Sequence, residues 1–532
     1  MNFRKHGALL FVVALLGLGA APLQAGPSTP PAAPSMGEFP VHPFAREIKA
    51  FVAAVREAEK ETDPLRRCLA YPDPPGSHWT HEAVVAYCHY RYQPIITFAE
   101  VKDLIEHGKA AELDRRMDAA LNAQFTQPDA RGRLDQSFLM DFGDGSMATR
   151  YLLDAWKRQS PDSAFAYAAS GYAYVNMAHE QRGGAFAPDT PGEKFDAMHR
   201  LLLRADADLR RAISLNPRIT PVYRAMIHAA GLEFGRAYAQ QAIDQAAKVD
   251  PANWTIYRER IWLAEPQWMG SLDAMQGVAD SAMQHVKQNP LLWMEKTAVA
   301  QYQANVNNCD CAPPPEAENF PAAFDELVSM EVFQAAAKRA QEQNAIAESV
   351  VYLSEAIRFM DAPQFPSTAL LRQRRAPQLV IVDEPQMALD EANKLVASAP
   401  GDAGGYAARG LVYLHRGNNS RAEQDLETAL TLKSDDDLVL STLVSIYTAN
   451  REWDKAWDVD NRMLQKSPDN QEVWIFRAII QEQQPRAGLE DTYRYCLARF
   501  SDDPSMELQF KQMREALDRA SKAGTAAPVQ GR

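Results

Sequence analysis

The chain has 532 residues, 46% of them hydrophobic, and a net charge of −13. That length supports two or three ordinary cores or one long solenoid. The acidic balance, with no Lys/Arg cluster, excludes the basic footprint that nucleic acid requires and electrostatic docking on anionic lipid. Five cysteines are too few for disulfides to make the fold, and an odd number leaves at least one thiol free or paired with another chain.

The first residues read as a secretory signal. Arg4, Lys5 and His6 form a positive start, and Ala8 to Leu18 is an uncharged apolar run. Leu23, Gln24 and Ala25 end in the small residue that a signal peptidase needs, so cleavage is expected after Ala25. The run is shorter than the roughly twenty residues of a membrane span, with an uncleaved anchor as the alternative. No later stretch is long and apolar enough to cross a bilayer. The expectation is therefore a periplasmic or secreted protein with no integral span after signal cleavage. Residues 26–40, rich in Pro, Ser and Ala, read as a flexible leader.

Helices follow. Phe44, Ile48, Phe51, Val52 and Val55 fall on one helical face. Cys68 and Cys88 flank a Pro/Gly turn cluster, and their separation suits two helices folded back across it, so a disulfide is expected between them. Thr97 and Glu100 make a T-x-x-E capping box opening a helix that stops at Gly108. Leu113, Met117, Leu121 and Phe125 line the next. Period-two alternation is nearly absent, and the class is all-α.

Candidate chemistry is thin along this stretch. The glycine-rich run Asp141 to Ser146 lacks the Lys-Ser/Thr pair of a phosphate loop and the ligand spacing of a calcium loop, and reads as a turn. His81-Glu82 and His179-Glu180 begin like a zinc-protease helix, but neither has a second His four residues on. His81, Cys88 and His89 are close enough in sequence for a metal, with an ordinary helical surface as the alternative. No catalytic residue, metal ligand or cofactor is assigned.

From here a 34-residue period dominates. Tyr223, Ala230, Ala239, Ala246 and Pro251 hold one unit. Pro217 closes the unit containing Ala205, Leu209 and Ala212, which starts near Tyr167, Gly171 and Tyr174 and carries an insertion of about twenty residues. Tyr257 opens another. Tyr257, Trp262, Trp268 and Trp293 read as core between repeats, or else as a stacking surface for a sugar or peptide. Residues 306–321, with three consecutive prolines, read as a linker ending an N-terminal half at 41–305. Cys309 and Cys311 within it read as structural bridges, or alternatively as a soft-metal or labile disulfide pair.

The C-terminal half, 322–521, repeats more clearly. Ala388, Ala392 and Pro400 end one unit. Tyr406, Gly410, Tyr413, Ala422, Leu426 and Ala429 mark the next, and Leu440, Leu443, Tyr447, Ala456 and Pro468 the one after. Trp474 opens a degenerate unit. Cys496 reads as a buried free thiol. Met506, Phe510, Met513 and Leu517 lie on one face of a capping helix, and 522–532 reads as a disordered tail.

These residues resemble the tetratricopeptide (TPR) repeat family. The small residue lets two helices of a hairpin cross closely, and the terminal Pro stops the second helix. The resemblance implies a TPR-like α-solenoid of helical hairpins in two halves, built to bind a protein or peptide partner, here in the cell envelope. It further implies that first helices line the binding face, at Ala407, Leu411, Leu414, His415, Ser441, Ser445, Thr448, Ile475 and Ile479. That set lacks the Lys and Asn of a carboxylate clamp and suits an amphipathic helix or an extended apolar peptide. The alternative is that the capping helix or the 306–321 segment fills the groove.

Residues 60–300 are also similar to a bacterial TPR-like domain family of unknown function, through Arg182-Gly183 and Pro266, Trp268, Gly270 and Ser271. That likeness implies no activity. The competing function is an enzyme seated in this region, with the C-terminal repeats recruiting substrate. It requires Asp141, Asp144, Arg182 and Trp268 to converge on one pocket.

Overall fold

A computed structural model describes residues 45–185, 187–268, 270–307, 323–361, 368–432 and 434–525. The signal segment, the leader, Cys309 and Cys311 with nearly all of the Pro-rich linker, and the chain beyond 525 lie outside the described residues. Among the described residues there is no strand, and no helix is long and apolar enough to cross a membrane.

The chain divides into two compact units. One comprises His42–Arg339 with Val351–Thr368, and the other comprises Ala340–Val350 with Ala369–Arg532. The division thus falls beyond the Pro-rich segment. Residues 323–339 and 351–361, assigned by sequence to the C-terminal half, pack in the N-terminal unit, because burial rather than the proline run decides where a core closes.

In the N-terminal unit, Asp63 caps helix Pro64–Ala70 by accepting from the Arg66 amide. The Pro/Gly turn then returns the chain into helix His81–Tyr92. Cys68 and Cys88 are joined there by a disulfide, with Cα atoms 5.9 Å apart. The Thr97/Glu100 capping box closes in both directions at the start of helix Phe98–Glu106. Three hairpins follow. They are Ala164–Arg182 with Gly192–Leu215, Thr220–Ala229 with Gly235–Val249, and Trp254–Leu263 with Leu272–Met283. Ser163 and Asn253 cap the first helices of the first and third. Gly171 sits at the first crossing, where an added Cβ would lie 2.6 Å from Leu209 Cγ and 3.1 Å from the Ala205 carbonyl. Leu209, Leu202 and Ala205 are fully buried beneath it.

The C-terminal unit stacks the hairpins Ala369–Ile381 with Pro385–Ser398, Ala403–His415 with Asn419–Thr431, Asp437–Asn450 with Trp453–Lys466, and Gln471–Gln483 with Leu489–Phe500. Gly410 repeats the crossing role, its missing Cβ leaving room for Leu426 and the Ala422 carbonyl. Leu440, Leu443, Val444 and Ile480 fill the space between hairpins, each side chain contributing about 1.5–3 kcal/mol by leaving water. Helix Glu507–Thr525 closes the end, burying Met506, Phe510 and Met513 against Ile475, Ala478, Tyr493 and Cys496. It runs past residue 521, so its last turn occupies the start of the expected tail. The architecture is an all-α, TPR-like solenoid.

Candidate functional site

The six expected partner-binding residues of the C-terminal unit separate by burial. Leu411, Ser445 and Ile479 stand 34 residues apart, at one position of three consecutive first helices, and each is half-buried. Leu414 packs partly into the core, and His415 is exposed at its helix end. Ile475 departs from expectation. It is 8% exposed and belongs to the cluster under the capping helix, with Ile479 packed against the same cluster. The chain's own last helix therefore covers one end of this face. Apolar side chains at the end of a stack gain more from an intramolecular cap than from water.

In the N-terminal unit the residues of unknown role form a turn. Gly183, with φ +74°, ends helix Ala164–Arg182, and the Arg182 guanidinium donates to the carbonyls of Gly183 and Ala185. Pro266 and Trp268 lie in a 3-10 turn. At Gly270 a Cβ would fall 1.9 Å from the Ala264 carbonyl, so only glycine closes this turn. Ser271 caps helix Leu272–Met283 by accepting from the Ala274 amide at 3.1 Å. The turn sets the Trp268 ring 4.5 Å from that of Trp262 and 5.8 Å from the Arg182 guanidinium, with Trp268 Nε1 buried and without a hydrogen-bond partner.

Asp141 and Asp144 do not join them. Asp144 accepts from Ser146 and Thr149 at the start of helix Met147–Gln159, which is turn chemistry. Asp141 is buried, and that burial pushes its carboxyl up to about 8, despite the Phe98 amide that hydrogen-bonds it. Among the described residues, the partners of Asp141 and Asp144 do not include Arg182 or Trp268, with which the enzyme reading required them to converge. Cys88 is committed to the disulfide, so it is unavailable to a metal beside His81 and His89. The aromatic group also divides: Trp262 meets Trp268, whereas Tyr257 is buried with its ring 6.3 Å from that of His285.

The structure instead assembles a polar line that the sequence did not announce. Glu259, 4% exposed, accepts from His228 Nδ1 at 2.6 Å and pairs with Arg224 at 2.9 Å. His228 Nε2 is 2.7 Å from His179 Nδ1. The His228 ring lies between those of His179, at 5.0 Å, and Trp262, at 4.3 Å, stacked on both. Three first helices supply these groups. A π-helical turn, Ala230–Phe234, follows His228. Gly231 within it leaves room for Trp262, whose ring a Cβ would strike at 2.5 Å. Burial opposes charge on Glu259, but Arg224 and His228 overcome it and hold the carboxyl at about 2. Burial, His228 and Arg182 together lower the pKa of His179. The result is an anion fixing one imidazole, which orients a second. His228 and Trp262 share a repeat position, and that spacing was readable. His179 comes from the extra turns of a longer first helix, which no period marks.

Trp262 also lines a cavity of about 290 Å³ whose wall includes Trp254, Arg258, Glu265, Met275, Met294 and Glu295.

No family model matches the chain, and no curated protein matches it significantly. The resemblance of residues 60–300 to a bacterial domain family thus has no family match behind it. Among solved structures, the chain is similar to the APC/C hetero-tetramer Cut9–Hcn1 at 14% identity and TM-score 0.31, over 88% of this chain and 95% of that one. It is similar to yeast Tom70 at 11% identity and TM-score 0.33, over 80% and 96%. The P58(IPK) TPR domain matches at 12% identity and TM-score 0.21, over 79% and 99%. At such scores the class rests on the 34-residue hairpins themselves.

Proposed function

We propose that the protein is an exported TPR-type scaffold that binds a protein or peptide partner in the cell envelope through the first helices of its C-terminal unit. One observation carries this reading: Leu411, Ser445 and Ile479 recur at 34 residues on consecutive first helices and keep part of their side chains in solvent. A row of half-exposed apolar and small polar groups, free of charge, matches an amphipathic helix or an extended apolar segment. Export is supported by the signal-like first 25 residues.

A photo-crosslinking residue at position 411, with a second at 445, tests the reading in the native envelope. A single protein captured from both positions, and lost on Leu411→Asp with helical content unchanged, is the expected result. Capture that is indifferent to Leu411→Asp would sink it, as would fractionation of the chain with the cytoplasm.

A further inference from the structure

His179 and His228 each sit in the last turn of a first helix, Ala164–Arg182 and Thr220–Ala229, in neighbouring hairpins. His179 Nδ1 and His228 Nε2 are 2.7 Å apart. On the far side of His228, Glu259 Oε1 lies 2.6 Å from its Nδ1, so that nitrogen carries a proton. A neutral His228 then offers only the lone pair of Nε2, and His179 Nδ1 donates to it. In a charged His228, Nε2 donates to His179 instead. In either form one proton lies between the rings. A second would set N–H against N–H and put two cations in a stacked pair, with ring centroids 5.0 Å apart.

The surroundings add positive charge on the His179 side. Arg182 follows on the same helix and acts on His179, and Lys194 Nζ lies 3.6 Å from the position a Gly183 Cβ would take. Of the negative groups, Glu259 is shared between His228 and Arg224, with Arg258 acting on it as well. Arg224 also meets the Tyr172 hydroxyl. Glu180 accepts from the Gly145 amide, Glu233 is held by His199, and Glu265 accepts from Gln267. Each helix C-terminus nevertheless favours a cation in its last turn, so the two rings compete for one charge. A π-helical turn, Ala230–Phe234, follows His228 and ends at Gly235, with φ +78°. Such a turn interrupts the regular ladder, and a shift of His228 is taken up there.

We propose that the His179–His228 pair is an acid-sensitive joint between these two hairpins, which a second proton breaks, freeing the last turns of both first helices. Burial, His228 and Arg182 hold the pKa of His179 below the ordinary 6.5. The joint's contribution is therefore whole above 6.5 and is lost as pH falls below it. Glu259, held at about 2, keeps its charge through the upper part of that range, so the two acid responses separate.

Amide hydrogen exchange of the full chain tests this, followed by mass spectrometry at pH 7.5 and pH 5 and corrected for the intrinsic pH dependence of exchange. Peptides covering 175–183 and 224–234 are expected to exchange roughly tenfold faster at pH 5, the worth of one charge-assisted hydrogen bond. Peptides from helix Asp437–Asn450, which has no histidine, serve as the control. His179→Gln keeps a donor and an acceptor for His228 but takes up no proton, and His179→Phe keeps only a ring against it. Both variants are expected to lose the response, and should His179→Phe fail to fold, His179→Gln decides. Equal exchange at both pH values in the wild type overturns the proposal. So does a response that survives in His179→Gln, or one that the control peptides share.

Discussion

The imidazole of His228 stacks on the indole of Trp262 with ring centroids 4.3 Å apart. The two residues hold the same place in consecutive hairpins. Beneath the pair, Glu259 ties His228 to Arg224, so one buried carboxylate organises side chains from neighbouring first helices.

Glu259 should make the N-terminal unit acid-labile in a defined window. Its folded value of about 2 lies below the ordinary 4.5, so its contribution is whole above 4.5 and is lost as pH falls toward 2. The difference corresponds to about 3 kcal/mol. Urea unfolding at a series of pH values is expected to show that loss in the wild type. Glu259→Gln should be less stable at neutral pH by about 3–5 kcal/mol, the range for breaking a buried pair, with a flatter acid limb. An unchanged acid limb would refute the assignment.

Asp141 has the opposite sign. Its carboxyl is raised to about 8 by burial, so its contribution is whole below the ordinary 3.8 and is lost as pH rises toward 8. Its Oδ2 is buried without a partner. Asp141→Asn should therefore raise the melting temperature by a few degrees at pH 8 and by little at pH 4. An equal gain at both would show that charge is not the cause.

Gly171 tests the hairpin crossing. An alanine there would press into Leu209 and the Ala205 carbonyl, which the surrounding core holds in place. Gly171→Ala is expected to cost about 1–3 kcal/mol in denaturant unfolding. Gly184→Ala serves as the control, because nothing lies within 4 Å of its Cβ position.

Reduction should loosen the N-terminal unit. The Cys68–Cys88 disulfide closes a loop of twenty residues, and the buried Arg358 donates to the Cys68 carbonyl at 2.9 Å. Replacing both cysteines by serine is expected to cost about 3 kcal/mol in the chain-entropy account. Wild-type resistance to urea after reduction would contradict it.

Much of this protein was legible from residue order, because its units are local. Thr97 and Glu100 are three residues apart, and the capping box they announced is formed. Gly171 and Gly410 marked helix crossings, and each is packed on a leucine of its own hairpin. The apolar face of Met506, Phe510 and Met513 announced a helix that had to cover something, and it covers Ile475. The same fact removed Ile475 from the binding face, since a repeat position near the end of a stack does not keep the exposure of its equivalents.

The helical class, the hairpin period, the caps and the residues that fill the crossings all follow from residue order, since each depends on partners within one or two helices. Which polar groups meet depends instead on how the hairpins stack. His179, His228 and Glu259 come from three first helices, and an insertion of about twenty residues in the first hairpin obscures their register. Arg258 and Glu295 are likewise neighbours through space and not through period. Stacking converts distance along the chain into adjacency only after every loop has taken its length. Burial, which sets the charge of these groups, is a property of the stack and of no segment alone.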